Sequence, residues 1–233
     1  MPCTLPASLA DAAVCRGSFH AVLGGEAGEA VFADFSAALQ KAQAEGRILT
    51  ASLFRYANHL FFYAEGLNRP FTPQGLCPAL DAALLPWPPA LGETAPRPWA
   101  AMQPYFYHDV PTTAADWQQG RCPQRRRGRI ALLPPDKWCS YMEHHLRIVT
   151  EGLVEGDRWH LICVQEGVLF SYLEEPRTNV NIRHKPGAHS PELDAWIAAD
   201  PESHFARFTP EQKAHPDSGH NFVFLPRIAG TED

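Results

Sequence analysis

Three side chains in the second half of the chain are of types that exchange protons near neutral pH. Tyr141 and His145 are four residues apart, so they project from the same face of a predicted helix. His160 opens the strand predicted to follow that helix, and its side chain can reach the same cavity. A Tyr/His pair beside a further His predicts a general acid–base site. The alternative is a helix surface that carries histidines, with Tyr141 packed on a sheet.

A metal site is another chemistry that such histidines could support. His144 and His145 are adjacent, so on a helix they point about 100° apart and cannot easily meet one ion. The sequence has no HExxH motif and no facial-triad spacing. We therefore predict no metal and no other cofactor.

A pattern of elements that occurs twice in the chain would position these side chains. Gly46 and Gly156 each follow a leucine by the same number of residues, and LFFYAE at 60–65 has a counterpart in LFSYLE at 169–174. In each copy an apolar strand precedes an amphipathic helix, two hairpin strands, a second helix and an aromatic last strand. The two glycines are predicted to follow the first helix of each copy with a positive φ.

The order β-α-β-β-α-β is that of the ferredoxin-like unit. Two helices cover one face of its sheet, and the other face is left apolar and needs a partner. We therefore predict an α+β protein whose two tandem halves pack sheet to sheet as an intramolecular dimeric α+β barrel. The halves are 1–108 and 128–233, and the linker at 109–127 ends in a basic run, Arg125–Arg127, that is interpreted as solvated. The fused chain is expected to be a monomer or a weak dimer.

The two halves differ in the chemistry that they can support. Val31 and Phe35 stand in the first copy where Tyr141 and His145 stand in the second. The position that corresponds to His160 lies near an alanine. The first half is therefore predicted to be structural, and the second half is predicted to carry the site.

Composition limits the class of protein. The chain has 20 Lys and Arg against 26 Asp and Glu, and its net charge of −6 does not provide the basic face of a duplex DNA binder. No apolar run is long enough for a transmembrane helix, and the first residues lack the features of a signal peptide. No two cysteines have CxxC spacing. We expect a cytoplasmic protein with reduced thiols that binds neither nucleic acid nor membranes.

The second copy resembles the L-rhamnose mutarotase family. The resemblance consists of Tyr-x-x-x-His at 141–145, the glycine at 156, Leu-Phe-x-x-x-Glu at 169–174 and an aromatic last strand at 222–224. It implies the fold of small dimeric α+β barrel proteins of about one copy's length. In that family the helix His and Tyr, with a Tyr that opens the second strand, are implicated in the interconversion of sugar anomers. His160 occupies the place of that strand tyrosine.

The resemblance implies a cofactor-independent isomerase, a mutarotase acting on a monosaccharide, with Tyr141, His145 and His160 as catalytic residues. One group protonates the ring oxygen of the sugar, and another takes the proton of the anomeric hydroxyl. The aromatic side chains that could contact the sugar are Trp159, Tyr172, Phe205 and Phe208. Each of them is equally suited to packing in a core.

Two other functions stay open, because one fold hosts many functions. One is a non-catalytic barrel that binds a small ligand or a partner. The other is a monooxygenase or a haem-handling enzyme of the same superfold. A polar cavity on which Tyr141, His145 and His160 converge would favour the sugar enzyme. A histidine beside a wide apolar cavity would favour haem, and a cavity filled by side chains would favour binding.

Overall fold

A computed structural model of the protein describes residues 5–179, 182–213 and 218–231. The contacts between residues divide the chain into two compact units. Unit 1 contains the residues up to Met102, Pro111–Pro123 and the residues from Pro226 onwards. Unit 2 contains Gln103–Val110 and Gln124–Leu225. None of the helices in the described residues has the length and apolar composition required to span a bilayer.

The predicted β-α-β-β-α-β order occurs twice along the chain, with further short elements between and after the predicted ones. The elements of the first half are β1 (Val14–Val22), α1 (Glu29–Ala44), β2 (Ile48–Tyr56), β3 (His59–Leu67), α2 (Pro78–Ala83), β4 (Ala100–Tyr107) and α3 (Ala114–Gln118). The elements that follow are β5 (Arg125–Leu132), α4 (Trp138–Glu151), β6 (Val154–Glu155), β7 (Leu161–Gln165), β8 (Val168–Glu175), β9 (Arg183–His184), α5 (Pro191–Ala198), β10 (Val223–Leu225) and β11 (Arg227–Gly230).

Unit 1 contains an antiparallel sheet in the order β4-β1-β3-β2-β11. The first four strands have the ferredoxin-like order, and α1 and α2 share one core with the sheet. Phe35 of α1 packs edge to face on Phe62 of β3, with ring centroids 5.7 Å apart. The helix ends as predicted, because Gly46 follows it with a φ of 68°.

Unit 2 repeats this arrangement with an antiparallel sheet in the order β10-β5-β8-β7, to which residues 103–107 of β4 add a fifth strand. The helices α4 and α5 share one core with this sheet through Tyr141, Ile148, Leu193 and Trp196. The α+β class and the β-α-β-β-α-β order of each copy are therefore confirmed. Each sheet also has a fifth strand that lies outside the repeated pattern. This strand is β11 in unit 1 and residues 103–107 of β4 in unit 2.

The prediction for Gly156 is wrong. The helix α4 ends at Glu151, and Gly152 is the residue that caps it in the left-handed conformation, with a φ of 67°. Gly156 instead lies against the ring of His108, and a Cβ atom at this position would come within 2.0 Å of that ring. A glycine is required here by the close approach of His108 rather than by the end of a helix.

We expect the substitution Gly156→Ala to displace His108, because no Cβ atom fits at its distance from the ring. Burial and then the charge of Arg177 lower the pKa of His108 to about 4. A displaced, hydrated imidazole would return towards its ordinary pKa of about 6.5. An NMR titration of the His108 ring measures this change, and the exposed Gly219 supplies a control alanine substitution with open space around it. An unchanged titration of His108 in Gly156→Ala would contradict this account.

The predicted linker at 109–127 contains regular structure. The helix α3 lies within it, and the side chain of Trp117 in this helix is fully buried. The basic run is not a solvated segment, because β5 begins at Arg125 and Arg127 is only 8% exposed. The Arg127 guanidinium donates to the Glu175 carboxylate at 2.9 Å. The interpretation of Arg125–Arg127 as solvated is therefore wrong at Arg126 and Arg127, whose largely buried side chains form ion pairs with Glu174 and Glu175 of the neighbouring strand β8.

Candidate functional site

A cavity of about 360 Å³ lies within unit 2, between the helices α4 and α5 and one face of the sheet. This volume is in the range of small-molecule sites. Its aromatic lining residues are Phe106, Tyr141, Trp196, Phe205 and Phe222. Its titratable or charged lining residues are His108, Arg129, His145, Asp157, His160, Arg177 and Glu202. The cavity therefore combines aromatic walls with several proton-exchanging and charged groups.

The helix period and the strand register explain why these residues share one cavity. Tyr141 and His145 are one turn apart on α4, and their ring centroids are 4.2 Å apart. Across the sheet, Arg129 of β5 pairs with Ser171 of β8, and Ser171 pairs with Ile162 of β7. Side chains of paired residues point to the same face, so these three form a row beneath the helix.

The geometry around His145 makes it a neutral base. Its Nδ1–H donates to the backbone carbonyl of Tyr141 at 2.9 Å, which leaves the lone pair on Nε2. Burial lowers the pKa of His145 to about 4. Its ring packs edge to face on Phe106 and on Trp196, with centroids 4.7 Å away in each case. At neutral pH His145 is therefore an uncharged, fixed imidazole that can accept a proton or a hydrogen bond.

Two tyrosines stay protonated here, Tyr141 in the cavity lining and Tyr105, whose ring contacts that of Tyr141. Burial raises the pKa of Tyr141 to about 12. Burial, together with the neighbouring Tyr141, also raises the pKa of Tyr105 well above its ordinary value. The Tyr141 ring contacts Trp196 and Phe205 with centroid distances of 5.4 and 5.2 Å. Tyr141 can therefore act as a hydrogen-bond donor, but not as a base, at neutral pH.

Arg129 brings a positive charge to the sheet side of the cavity. Burial, and then the charge of Arg177, lower the pKa of Arg129 to about 10, so its guanidinium is charged at neutral pH. The guanidinium carbon lies over the Phe222 ring, 4.5 Å from its centroid. The buried Nε of Arg129 has no hydrogen-bond partner among the described residues.

The second arginine of the cavity differs from Arg129 because it is paired. The Nε of Arg177 donates to Asp157 at 3.3 Å, and Asp157 also accepts from the Thr178 hydroxyl at 2.8 Å. The backbone carbonyl of Asp157 accepts from the backbone N–H of His160 at 3.1 Å. This network fixes the chain where His160 enters the cavity.

The residues predicted from the sequence separate into two groups. Tyr141, His145, His160 and Phe205 line this cavity. Trp159 and Phe208 are buried but do not line it. Tyr172 does not line it either, because it neighbours Ser171 on β8 and so points to the opposite face of the sheet, where its hydroxyl donates to Glu174 at 2.6 Å.

The cavity residues that sequence reasoning missed include His108, Arg129, Arg177 and Trp196. A signal for one of them exists in the sequence, because Arg129 interrupts the apolar alternation of the predicted strand. His108 and Arg177 follow strands β4 and β8, and only the folded chain places them beside α4. Trp196 lies on the same helix face as Leu193, where a core tryptophan is equally expected.

Unit 1 has apolar side chains at the positions that correspond to three polar lining residues of the cavity. Its cross-strand pair Phe19 and Phe62 occupies the positions of Arg129 and Ser171, and Phe35 occupies the position of His145. Phe35 and Phe62 belong to one hydrophobic core cluster, and the partly buried Phe19 packs against it. Polar groups in a core cost stability unless something else requires them. The three polar side chains of unit 2 therefore occupy positions that are apolar in the same fold in unit 1.

A cluster of His184, His189 and Asp194 has the composition of a metal site, with ligand atoms within 4.8 Å of one another. However, the backbone N–H of Ser190 donates to Nδ1 of His184 at 3.1 Å. A neutral His184 therefore carries its hydrogen on Nε2, and neither ring nitrogen offers a lone pair to an ion. Among the described residues, no other group of three or more His, Cys, Asp or Glu side chains brings its ligand atoms within 4.8 Å of one another.

Comparisons with known proteins give only distant structural similarity. No family model and no curated protein matches the chain. A "putative monooxygenase" from Lactobacillus acidophilus NCFM matches with a TM-score of 0.40 and 7% identity, over 94% of this chain and 96% of that one. A second protein of the same description, from Fusobacterium nucleatum subsp. nucleatum ATCC 25586, matches with a TM-score of 0.39 and 8% identity, over 94% of each chain.

Proposed function

We propose that unit 2 is an enzyme that needs no cofactor and removes a proton from a small, ring-shaped substrate. The observation that carries the proposal is that three phenylalanines, which lie in or against the core of unit 1, have Arg129, Ser171 and His145 as their counterparts in unit 2. A core that gives up apolar packing for a neutral base and a cation around a cavity is arranged for chemistry.

His145 is the base in this proposal. Its Nδ1–H is held by the Tyr141 carbonyl, so Nε2 is the atom that takes the substrate proton. The low pKa of His145 means that the imidazolium is costly in this environment and gives the proton up again readily. Trp196 and Phe205 offer aromatic surfaces for a ring, and the Tyr141 hydroxyl offers a hydrogen bond.

The reaction that we propose is oxygenation of the deprotonated ring by O₂. An acidic ring CH₂ loses two hydrogens, one oxygen atom becomes the new carbonyl, and the other leaves in water, so O₂ is both oxidant and oxygen source. The cavity supports this reaction because it contains a neutral base, His145, and a cation, Arg129, that has no hydrogen-bond partner on its Nε among the described residues. His108 and His145 both have pKa values of about 4, so neither supplies an acid at neutral pH. The proposal rests on this cavity rather than on the distant structural similarity.

Sugar mutarotation is the second candidate. It is favoured by one observation, that Tyr141, His145 and His160 line a single cavity. In this reaction His145 would take the proton of the anomeric hydroxyl, and Tyr141 would donate to the ring oxygen. Mutarotation requires a proton donor of useful strength, and burial raises the pKa of Tyr141 to about 12.

Two assays in parallel test the proposal. The first follows O₂ uptake and ¹⁸O incorporation with aromatic ring ketones that carry an acidic ring CH₂, in the presence of a chelator and without added flavin or haem. The second follows anomeric proton exchange by saturation-transfer NMR across a panel of monosaccharides. We expect O₂ uptake equal to product formed. Anomeric exchange without O₂ uptake would instead establish the mutarotase, and the absence of both would contradict a proton-transfer enzyme.

A further inference from the structure

Arg129 is a positively charged side chain in the lining of the cavity. It makes neither a hydrogen bond nor an ion pair with any residue in the described ranges, and its contact there is with the face of the Phe222 ring. We propose that the cavity recognises its ligand as an anion, and that Arg129 binds the carboxylate of a small aromatic acid. This inference rests on the proposed function only in taking that ligand to be the substrate.

The two carboxylates around the cavity, Asp157 and Glu202, form hydrogen bonds with side chains other than Arg129. Asp157 is already occupied by Arg177 and by Thr178. Glu202 attracts Arg129, but it is exposed and accepts a hydrogen bond from Asn221. Arg177 repels Arg129, since its charge contributes to the lowered pKa of that group. A bound carboxylate would relieve this repulsion and fill the empty hydrogen-bonding positions of the guanidinium.

The shape and surroundings of Arg129 select a carboxylate on a ring. A guanidinium offers two parallel N–H donors, which match the two oxygens of a carboxylate. The buried hydroxyl of Ser171 lies on the partner strand directly opposite Arg129 and offers a further donor. Trp196 and Phe205 line the same cavity with apolar surface for the ring. In unit 1 the positions of Arg129 and Ser171 hold Phe19 and Phe62, so this recognition belongs to unit 2 alone.

The inference is tested by binding rather than by turnover. Isothermal titration calorimetry of the full chain compares benzoate, phenylacetate and cyclohexanecarboxylate with their neutral amides. We expect at least one acid to bind about tenfold or more tightly than its amide, which corresponds to one charge-assisted hydrogen-bonded pair. Quenching of tryptophan fluorescence reports binding next to Trp196. Equal affinities for each acid and its amide, or no binding of any of the acids, would overturn the inference.

Three variants assign the effect to Arg129. In Arg129→Gln we expect the preferred acid to bind no more tightly than its amide, while the affinity for the amide changes less than about twofold. In Arg129→Lys we expect the acid to bind more tightly than its amide, but by a smaller factor than in the wild-type protein. Arg207→Gln is the matched control, because Arg207 is an exposed arginine of unit 2. Equal losses for acid and amide in Arg129→Gln would show a structural role and reject the inference. Arg129→Lys retains the charge and decides the question if the Gln variant does not fold.

Failure of this inference and failure of the proposed function give different results. If acids bind through Arg129 but no panel compound is turned over, the anion site stands and the enzyme proposal fails. If neutral compounds are turned over equally by the wild-type protein and by Arg129→Gln, the enzyme proposal stands and the anion site fails. The melting temperature supplies a further readout, because the preferred acid should raise it in the wild-type protein and not in Arg129→Gln.

Discussion

Replacing His145 by phenylalanine is expected to lower turnover by about 10²–10⁴-fold, the contribution typical of a positioned general base. The fold should survive, because Phe35 occupies the corresponding position in the core of unit 1 at 1% exposure. The substitution removes a buried polar ring, so the free energy of unfolding should stay equal or rise. Turnover in the O₂ assay and urea denaturation measure the two quantities, and His189→Phe, at an exposed position, is the control.

The same variant should change the pH dependence of stability. Burial lowers the pKa of His145 to about 4, against about 6.5 in an unfolded chain. The unfolded state therefore binds the proton first, and the contribution of His145 to stability is present above pH 6.5 and is lost as the pH falls towards 4. His145→Phe should lose less stability over this range than the wild-type protein does. A large decrease in the free energy of unfolding of His145→Phe, with unchanged turnover, would assign His145 to packing and reject its role as base.

Replacing Arg121 by methionine is expected to destabilise the protein by about 3–5 kcal/mol, because it leaves a buried carboxylate without its partner. Glu65 is fully buried, and the Arg121 guanidinium donates to both of its oxygens at 2.7 and 2.9 Å. The double variant Arg121→Met with Glu65→Gln should recover a large part of this loss, since it buries no charge. Urea denaturation measures each step, and Lys41→Met supplies a control at an exposed ion pair.

Acid unfolding gives an independent check on this pair. Burial alone would raise the pKa of Glu65, but the charge and hydrogen bonds of Arg121, together with the charge of Arg16 and the hydrogen bond from Tyr63, outweigh it and hold the pKa below its ordinary value. The stability that this pair contributes is therefore present above the ordinary pKa of about 4.5 and is lost as the pH falls through the lowered pKa. In Arg121→Met this acid-dependent loss should shrink or reverse. A free energy change within about 1 kcal/mol for Arg121→Met would contradict the account of a buried, uncompensated charge.

The order of helices and strands in each copy can be predicted from the sequence, because an element that buries one face has apolar residues at regular intervals. The four-residue spacing of Tyr141 and His145 was enough to place them together, since a helix repeats at 3.6 residues. Arg129 could not be assigned in the same way. An arginine in a strand is compatible with an exposed edge, and only the pairing of β5 with β8 places it opposite Ser171 under α4.

The strand β11 and the position of His108 escape sequence reasoning for another physical reason. β11 is four residues long and follows β10 after a single proline, so it has too few residues to show a period. Gly156 was assigned to a helix end because a glycine after a helix commonly has that role. Its actual requirement is the ring of His108, which is distant in sequence and reaches it only in the folded chain.

The assignment of β11 to unit 1 has a consequence for the order in which the units are completed during synthesis. β11 pairs with β2, yet the ribosome translates it after β5, β8 and the rest of unit 2. Unit 1 therefore emerges first but waits, with the free edge of β2 uncovered, until residues 227–230 have left the exit tunnel. An open strand edge is a template for pairing with another chain. The interval between translation of β2 and of β11 is thus the period in which nascent chains are most exposed to association, and slow translation of unit 2 would lengthen it.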